Sequence, residues 1–317
     1  MWTHRKTFAA ERSANYTALQ HLEPALDRTA LSRPHLNSDY PEKAVGEDAP
    51  RSLSRLLMAS RLRRAIVNRT LSLHYQPQFE LVSGLATGME VLARWFPLVG
   101  AAIEPSVFIP LAEETGLIEA LGNSVIEAAC QQAINCCTAG GTALTLCVNV
   151  SPLQLNWQLV SSIRAILQRT GFPAAQLELE ITEGILLRDC VATKRCLFEL
   201  KNLGLQLAID DFGVGYSNLN YLSKFPIDRL KLDKSLTQHV GSDCKETAIL
   251  GSIIDLCAAL HIKVIAEGVE SEHQFGALQR LGCDQVQGYL LGRPGPMTQA
   301  QLTIDKRWGE RPVRGLQ

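Results

Sequence analysis

From about residue 55 to residue 300, eight short runs rich in apolar and β-branched residues alternate with longer stretches of helical spacing. The runs are "LSLHYQPQFEL", "GMEVLARW", "LTLCVNV", "LELEIT", "LQLAIDDF", "DRLKLD", "KVIAEGV" and "QVQGYLLG". A regular succession of strand and helix favours an α/β fold with a parallel sheet, either closed into a (β/α)8 barrel or open and doubly wound. Eight strands favour the barrel, and the open sheet is the alternative. Gly213 and Gly215 lack the third glycine of a dinucleotide-binding turn, so that reading carries no weight.

The helical stretches have their own marks. In "DCKETAILGSIIDLCAAL", Ile249, Ile253, Leu256 and Leu260 repeat at helical spacing behind an Asp243/Glu246 cap. In "CLFELKNLG", Cys196, Leu200 and Leu203 share one side, and Gly204 ends the helix. The "RLRR" stretch at 61–64 reads as a solvated helix face. Residues 1–50 are polar, proline-bearing and without sustained period. They are expected to form a flexible leader, or a short helix in "AERSANYTALQHL" that docks on the domain or on a regulatory partner. Residues 51–317 form the expected main domain.

Strand alternation sorts the charges. Lys231 and Asp233 share one face of "RLKLD"; Glu178, Glu180 and Thr182 share one face of "LELEIT"; Glu90, Leu92 and Arg94 lie together in "EVLAR". Ile265 and Glu267 share a face at the end of their strand, and Asn149 closes "LCVNV". Asp210 and Asp211 stand side by side at the end of an apolar strand. A lone strand-end carboxylate is ordinarily a helix cap or a solvated loop residue. Recurrence on many strands argues instead for one polar mouth, where parallel barrels build their sites.

Glu90, Glu180, Asp210, Asp211 and Glu267 would bring five negative charges to that mouth, against the one positive charge of Lys231. Such crowding demands counter-charge. Two divalent cations balance it, and an oxygen-rich set with no His or Cys suits Mg2+ or Mn2+ rather than zinc. Paired divalent cations suit phosphodiester cleavage. Lys231 could orient a water or steady the transition state, and Arg94 could grip a non-reacting phosphate.

Composition closes other routes. The net charge of −1 and the lack of a long basic block argue against a general grip on DNA. Nine scattered cysteines with no CxxC pair fit small buried residues in a reducing cytoplasm better than a disulfide framework or zinc ribbon. No stretch approaches 18 apolar residues, so no membrane segment is expected. His74 and His261 read as packing or surface residues, and Trp95 as either a core residue or a base contact.

The set "EVLAR", "VNVS", "LELEITE", "DDFGVGYSNL", "LKLD", "AEGVE" and "QGYLLGRP", with "LHYQP" and "FIPLAEETGLI", resembles the EAL-domain family of bacterial cyclic di-GMP phosphodiesterases. The resemblance implies a modified (β/α)8 TIM-type barrel whose first strand runs antiparallel. It implies hydrolysis of cyclic di-GMP to linear pGpG with two Mg2+ or Mn2+ ions, and a homodimer built near the glycine-rich loop. By motif, Glu90, Asn149, Glu180, Asp210, Asp211 and Glu267 resemble the metal shell, and Lys231 the catalytic lysine. Glu90 and Glu267 thereby join Lys231 as expected catalytic residues. Arg94 and Gln287 resemble substrate or water contacts. Glu183 is similar to the glutamate that pins the loop after the paired aspartates, and Glu270 to a residue that backs the ligands from behind.

Two positions depart from the family pattern. Val91 replaces the usual alanine, and alternation points it away from the mouth. Val214 replaces a threonine in the glycine-rich loop, which removes a hydroxyl. The rival functions are a catalytically silent receptor or protein-binding adaptor on the same fold, and a metal-dependent enzyme of the enolase kind. The latter would need a second acid–base residue facing Lys231.

Overall fold

The computed structural model describes residues 48–97, 100–186, 190–213 and 222–306. Most of the leader segment, its expected short helix, Val214 and Gly215 lie outside the described residues.

Eight strands close into one barrel in sequential order. They are β1 (Ser72–Glu80), β2 (Ala86–Arg94), β3 (Thr145–Asn149), β4 (Leu177–Thr182), β5 (Gln206–Phe212), β6 (Arg229–Leu232), β7 (Lys263–Ala266) and β8 (Gln285–Val286). β1 pairs antiparallel with both β2 and β8, and the remaining neighbours pair parallel. The fold is thus the modified barrel with a reversed first strand, and the open sheet is excluded. The run "QVQGYLLG" is shorter as a strand than its composition suggests, because only Gln285 and Val286 find ladder partners.

The helices are α1 (Asp48–Val67), α2 (Pro105–Glu114), α3 (Ile118–Ala133), α4 (Trp157–Thr170), α5 (Glu183–Leu186), α6 (Val191–Asn202), α7 (Lys234–Thr237), α8 (Cys244–Ala259), α9 (Glu272–Arg280) and α10 (Met297–Ile304). Their ends follow local chemistry. Asn156 accepts from the Leu159 amide to start α4, and Gly171, at φ 69°, ends it. Asp243 accepts from the amides of Lys245 and Glu246 to start α8. Ser271 and Gln274 form a reciprocal capping box on α9.

Packing revises one helix face. In α8 the buried residues are Leu250, Ile254 and Cys257, whereas Ile249 is exposed. The barrel-facing stripe lies one position around from Ile249. In α6, Cys196, Leu197 and Leu200 are buried, as spacing predicts for the first and third. Within "RLRR", Leu62 is fully buried while Arg61, Arg63 and Arg64 are exposed.

The core lies chiefly between the strands and their outer helices, where Leu146, Leu179, Leu207, Leu230 and Val264 are almost wholly buried. Each such side chain contributes roughly 1.5–3 kcal/mol by leaving water. Val91 joins this layer, on the side away from the carboxylates, as alternation predicts. The barrel interior differs in kind. It holds the buried polar residues Gln76, Gln78, Glu90, Glu178, Glu180, Arg229, Lys231, Gln285 and Gln287.

Candidate active site

Seven strands deliver polar groups to one place. Glu90 comes from β2, Asn149 from the end of β3, Glu180 from β4 and Asp210 from β5. Lys231 comes from β6, and Glu267 and Gln287 follow β7 and β8 directly. The ladder explains the convergence: Asn149 pairs with Glu180 and Thr182 with Asp210, so parallel pairing keeps neighbouring groups level.

Lys231 is the hub. Its Nζ lies 2.8 Å from Glu267 Oε1, 3.0 Å from Glu180 Oε1, 3.0 Å from Asp210 Oδ1 and 3.6 Å from Glu90 Oε2. An ammonium has three N–H donors, so it cannot aim one at each of four carboxylates. Both carboxylate oxygens of Glu180 and Oδ1 of Asp210 are buried without a hydrogen bond, although Lys231 stands within ion-pairing distance. Burial alone would pull the Lys231 pKa down; Glu180, Glu267, Glu90 and Asp210 outweigh it and hold the value well above ordinary.

The carboxylates show the opposite strain. Burial, with the Glu90 and Asp210 charges adding to it, raises Glu180 far above the usual range against the pull of Lys231. Burial raises Glu267 to about 7, again against Lys231. Asp211 is raised by partial desolvation of its carboxyl and then by the adjacent Asp210 charge. These groups together form an acidic oxygen site of the kind that takes a divalent cation, and the unbonded oxygens of Glu180 and Asp210 are ready acceptors for one.

The paired aspartates owe their placement to a backbone irregularity. The β5–β6 ladder slips between Ile209 and Phe212, and Asp211 adopts a left-handed φ of 55°. A bulge breaks the alternation that would send successive side chains to opposite faces. Asp210 is buried, while Asp211 is exposed yet still feels Lys231 and Glu90 electrostatically.

Glu90 is held by amides. Asn149 Nδ2 donates to its Oε1 at 2.8 Å and Gln287 Nε2 to its Oε2 at 2.6 Å. Gln287 sits here because the turn after β8 presses against the segment after β7. The Gln287 amide donates to Ala266 O at 2.9 Å, and the Val269 amide donates to Gln287 O at 3.1 Å. A Cβ on Gly288 would lie 2.0 Å from the Val269 carbonyl oxygen, so only glycine permits the approach.

The other expected residues are placed apart from this hub. Arg94 ends β2, donates to the Ala93 carbonyl at 3.0 Å and lines a cleft with His74, Phe96 and Glu104. Trp95 is buried edge-on against Phe108, with ring centroids 6.0 Å apart, which settles it as a core residue. Glu183 opens α5 and is buried, and its carboxylate oxygens have no hydrogen-bond partner among the described residues. The loop it is expected to hold, at 214–221, is outside them. Glu270 is exposed and pairs with Lys234 at 2.6 Å.

Beneath the hub, Cys147, Glu178 and Glu180 bring potential ligand atoms within 4.8 Å of one another. Arg229 lies 3.3 Å from Glu178 Oε1, and burial drives the Cys147 thiol far above its usual pKa. A protonated thiol beside a guanidinium is a poor cation site, so this layer reads as a buried ion pair. Gln76, Gln78, Arg229 and Gln285 are interior residues, among those described, that sequence reasoning passed over. Alternation with Tyr75, Pro77 and Phe79, and between Arg229 and Lys231, was the signal that could have found the first three.

The description "EAL domain" fits a family model matched over residues 59–294. The chain belongs to the EAL domain family. MucR of Pseudomonas aeruginosa, named a bifunctional diguanylate cyclase/cyclic di-GMP phosphodiesterase, is 40% identical to this EAL domain protein over 244 residues, or 77% of this chain and 36% of MucR. The cyclic di-GMP phosphodiesterase NbdA of the same organism is 38% identical over 248 residues, or 78% of this chain and 32% of NbdA. The chain therefore spans about a third of the length of these curated relatives. A solved structure of PaMucR phosphodiesterase in complex with c-di-GMP matches with a TM-score of 0.71 at 40% identity, covering 77% of this chain and 99% of that one. Among the described residues, no helix of the EAL domain protein is long and apolar enough to cross a membrane.

Proposed function

We propose that this protein hydrolyses cyclic di-GMP to linear pGpG, lowering the level of a bacterial second messenger. The observation that carries the reading is the buried hub in which Glu90, Glu180, Asp210 and Glu267 all lie within 3.6 Å of one ammonium, Lys231. The names of MucR and NbdA and the c-di-GMP complex of PaMucR supply the substrate.

Glu90, Asn149, Glu180, Asp210, Asp211 and Glu267 would hold two Mg2+ or Mn2+ ions, which when bound supply positive charge for an attacking water and for the phosphate. Asn149 and Gln287 hold the two oxygens of Glu90 in place. Lys231 sits 2.8 Å from Glu267 and can steady charge or orient a water beside the pair. Arg94 at the rim would receive a phosphate that does not react. Gln287 would lie against substrate or water beside the Glu90 carboxylate that it holds. Glu183 would fix the loop at 214–221, and Glu270 would support the mouth through Lys234.

We take residues 51–317 as the catalytic unit, and residues 1–50 as a leader or docking helix through which a regulatory protein acts. We also read the working form as a cytoplasmic homodimer, which light scattering on the purified chain tests. The activity is tested by incubating the protein with cyclic di-GMP and Mg2+ or Mn2+. Linear pGpG should accumulate, and Glu90→Ala should abolish it. A wild type inert across metals and pH defeats the reading, and tight nucleotide binding without turnover would point to a silent receptor instead.

A further inference from the structure

A column of buried amides runs from the floor of the barrel to Glu90. At its foot, Arg229 Nη1 donates to Gln78 Oε1 at 2.9 Å. Gln78 Nε2 donates to Gln287 Oε1 at 2.9 Å, and Gln287 Nε2 donates to Glu90 Oε2 at 2.6 Å. Gln78 is fully buried, and Arg229 and Gln287 are each 4% exposed. Water therefore does not compete for these bonds.

The direction of this column has a physical cause. A glutamine amide accepts at one end and donates at the other, and its two orientations are nearly equal in shape. A guanidinium only donates. Arg229 therefore obliges Gln78 to turn its oxygen downward and its NH2 upward. Gln287 must then accept from below and donate upward, toward the carboxylate. Gln76 agrees from the side: its Nε2 donates to the Gly292 carbonyl at 3.1 Å, leaving its oxygen to accept from Gln287 at 3.1 Å. Burial works against the Arg229 charge, but Glu178, 3.3 Å away, together with Cys147 and Glu180, more than offsets it.

We propose that Gln78 and Arg229 are positioning residues: Arg229 sets the polarity of the Gln78–Gln287 amides so that an N–H always faces Glu90. Neither residue touches the mouth, and both act through Gln287. The inference rests on Glu90 being the working carboxylate of the proposed phosphodiesterase.

Gln78→Glu tests it with almost no change of shape. A carboxylate at 78 still accepts from Arg229 but cannot donate to Gln287 Oε1. The Gln287 oxygen then loses its donor, and the new carboxylate at 78 competes with Glu90 and Gln76 for the Gln287 NH2, drawing it away from Glu90. In the whole 317-residue chain with cyclic di-GMP and Mn2+, Gln78→Glu should lower kcat by roughly ten- to hundredfold, the worth of one mis-set buried hydrogen bond, with KM within about threefold of wild type. In metal-free protein, the Gln287 side-chain amide signals in a 1H–15N spectrum should shift in Gln78→Glu but keep their wild-type positions in Arg229→Lys, which preserves the donor. Where Gln78→Glu does not fold, Arg229→Met against Arg229→Lys carries the same comparison: loss in the first and near-wild-type behaviour in the second.

Wild-type kcat and unmoved Gln287 signals in Gln78→Glu overturn the proposal, as does equal loss in Arg229→Met and Arg229→Lys. The spectroscopic arm needs no turnover. It therefore decides the matter even if the wild type fails to cut cyclic di-GMP.

Discussion

The ammonium of Lys231 lies 2.8 Å from the carboxylate of Glu267, at the point where the ends of β6 and β7 meet. With Lys231 only 1% exposed, this pair and the three further carboxylates around it make one buried charge cluster with too little positive charge. The cluster's stability and its appetite for cations therefore have one cause.

Lys231→Met should remove the cluster's cation and leave four carboxylates facing one another. Breaking a buried pair of this kind costs about 3–5 kcal/mol. The metal-free variant should melt well below wild type, and Mn2+ should recover more of the melting temperature in the variant than in wild type. Hydrolysis should be lost even with metal. Thermal melts with and without Mn2+ check this, and an unchanged melting temperature would contradict it.

Stability of the metal-free protein should fall as pH rises from about 4.5 to about 7. Glu267 is raised from the ordinary value of 4.5 to about 7, so across that window the folded state binds a proton that the unfolded state has released. Glu180, also raised, acts in the same direction. Mg2+ should flatten the slope by favouring the ionised carboxylates. A pH series of melts reads the sign directly, and stability that rises across this window would refute it.

Gly288→Ala should push a methyl group against the backbone of Val269, where a Cβ would lie 2.0 Å from the carbonyl oxygen. The expected loss is about 1–3 kcal/mol of stability. Turnover should fall further than stability alone explains, because Gln287, the next residue, loses its seat beside Glu90. Denaturant melts and kcat measured on the same preparation separate the two effects.

Chelation with EDTA should abolish hydrolysis of cyclic di-GMP, and Mg2+ or Mn2+ should restore it. Zinc should not, because the site offers carboxylate and amide oxygens and no imidazole or thiolate ligand. Product analysis after metal replacement gives the answer. Full activity in EDTA would remove the cation from the reaction.

Much of the site was legible because strand periodicity is local. An apolar residue every second position in "LELEIT" or "RLKL" already places Glu180 and Lys231 on the interior face. Glu90, Asn149, Asp210 and Glu267 followed by the same rule, and the barrel brings them around Lys231. The placement of Asp211 did not follow from it. A bulge and a left-handed backbone depend on how β5 meets β6, which alternation cannot express.

By itself, then, the amino-acid sequence determined eight strands, their helical connections and the inward face of most polar residues, since each depends on neighbours a few positions apart. Tertiary structure decided what depends on distant partners. It exposed Ile249, cut β8 to two residues and set Glu270 against Lys234. It also joined Gln78 to Arg229 across 151 positions of chain. Those outcomes rest on close packing and on the need of every buried polar group for a partner, and no pattern read along one strand contains either.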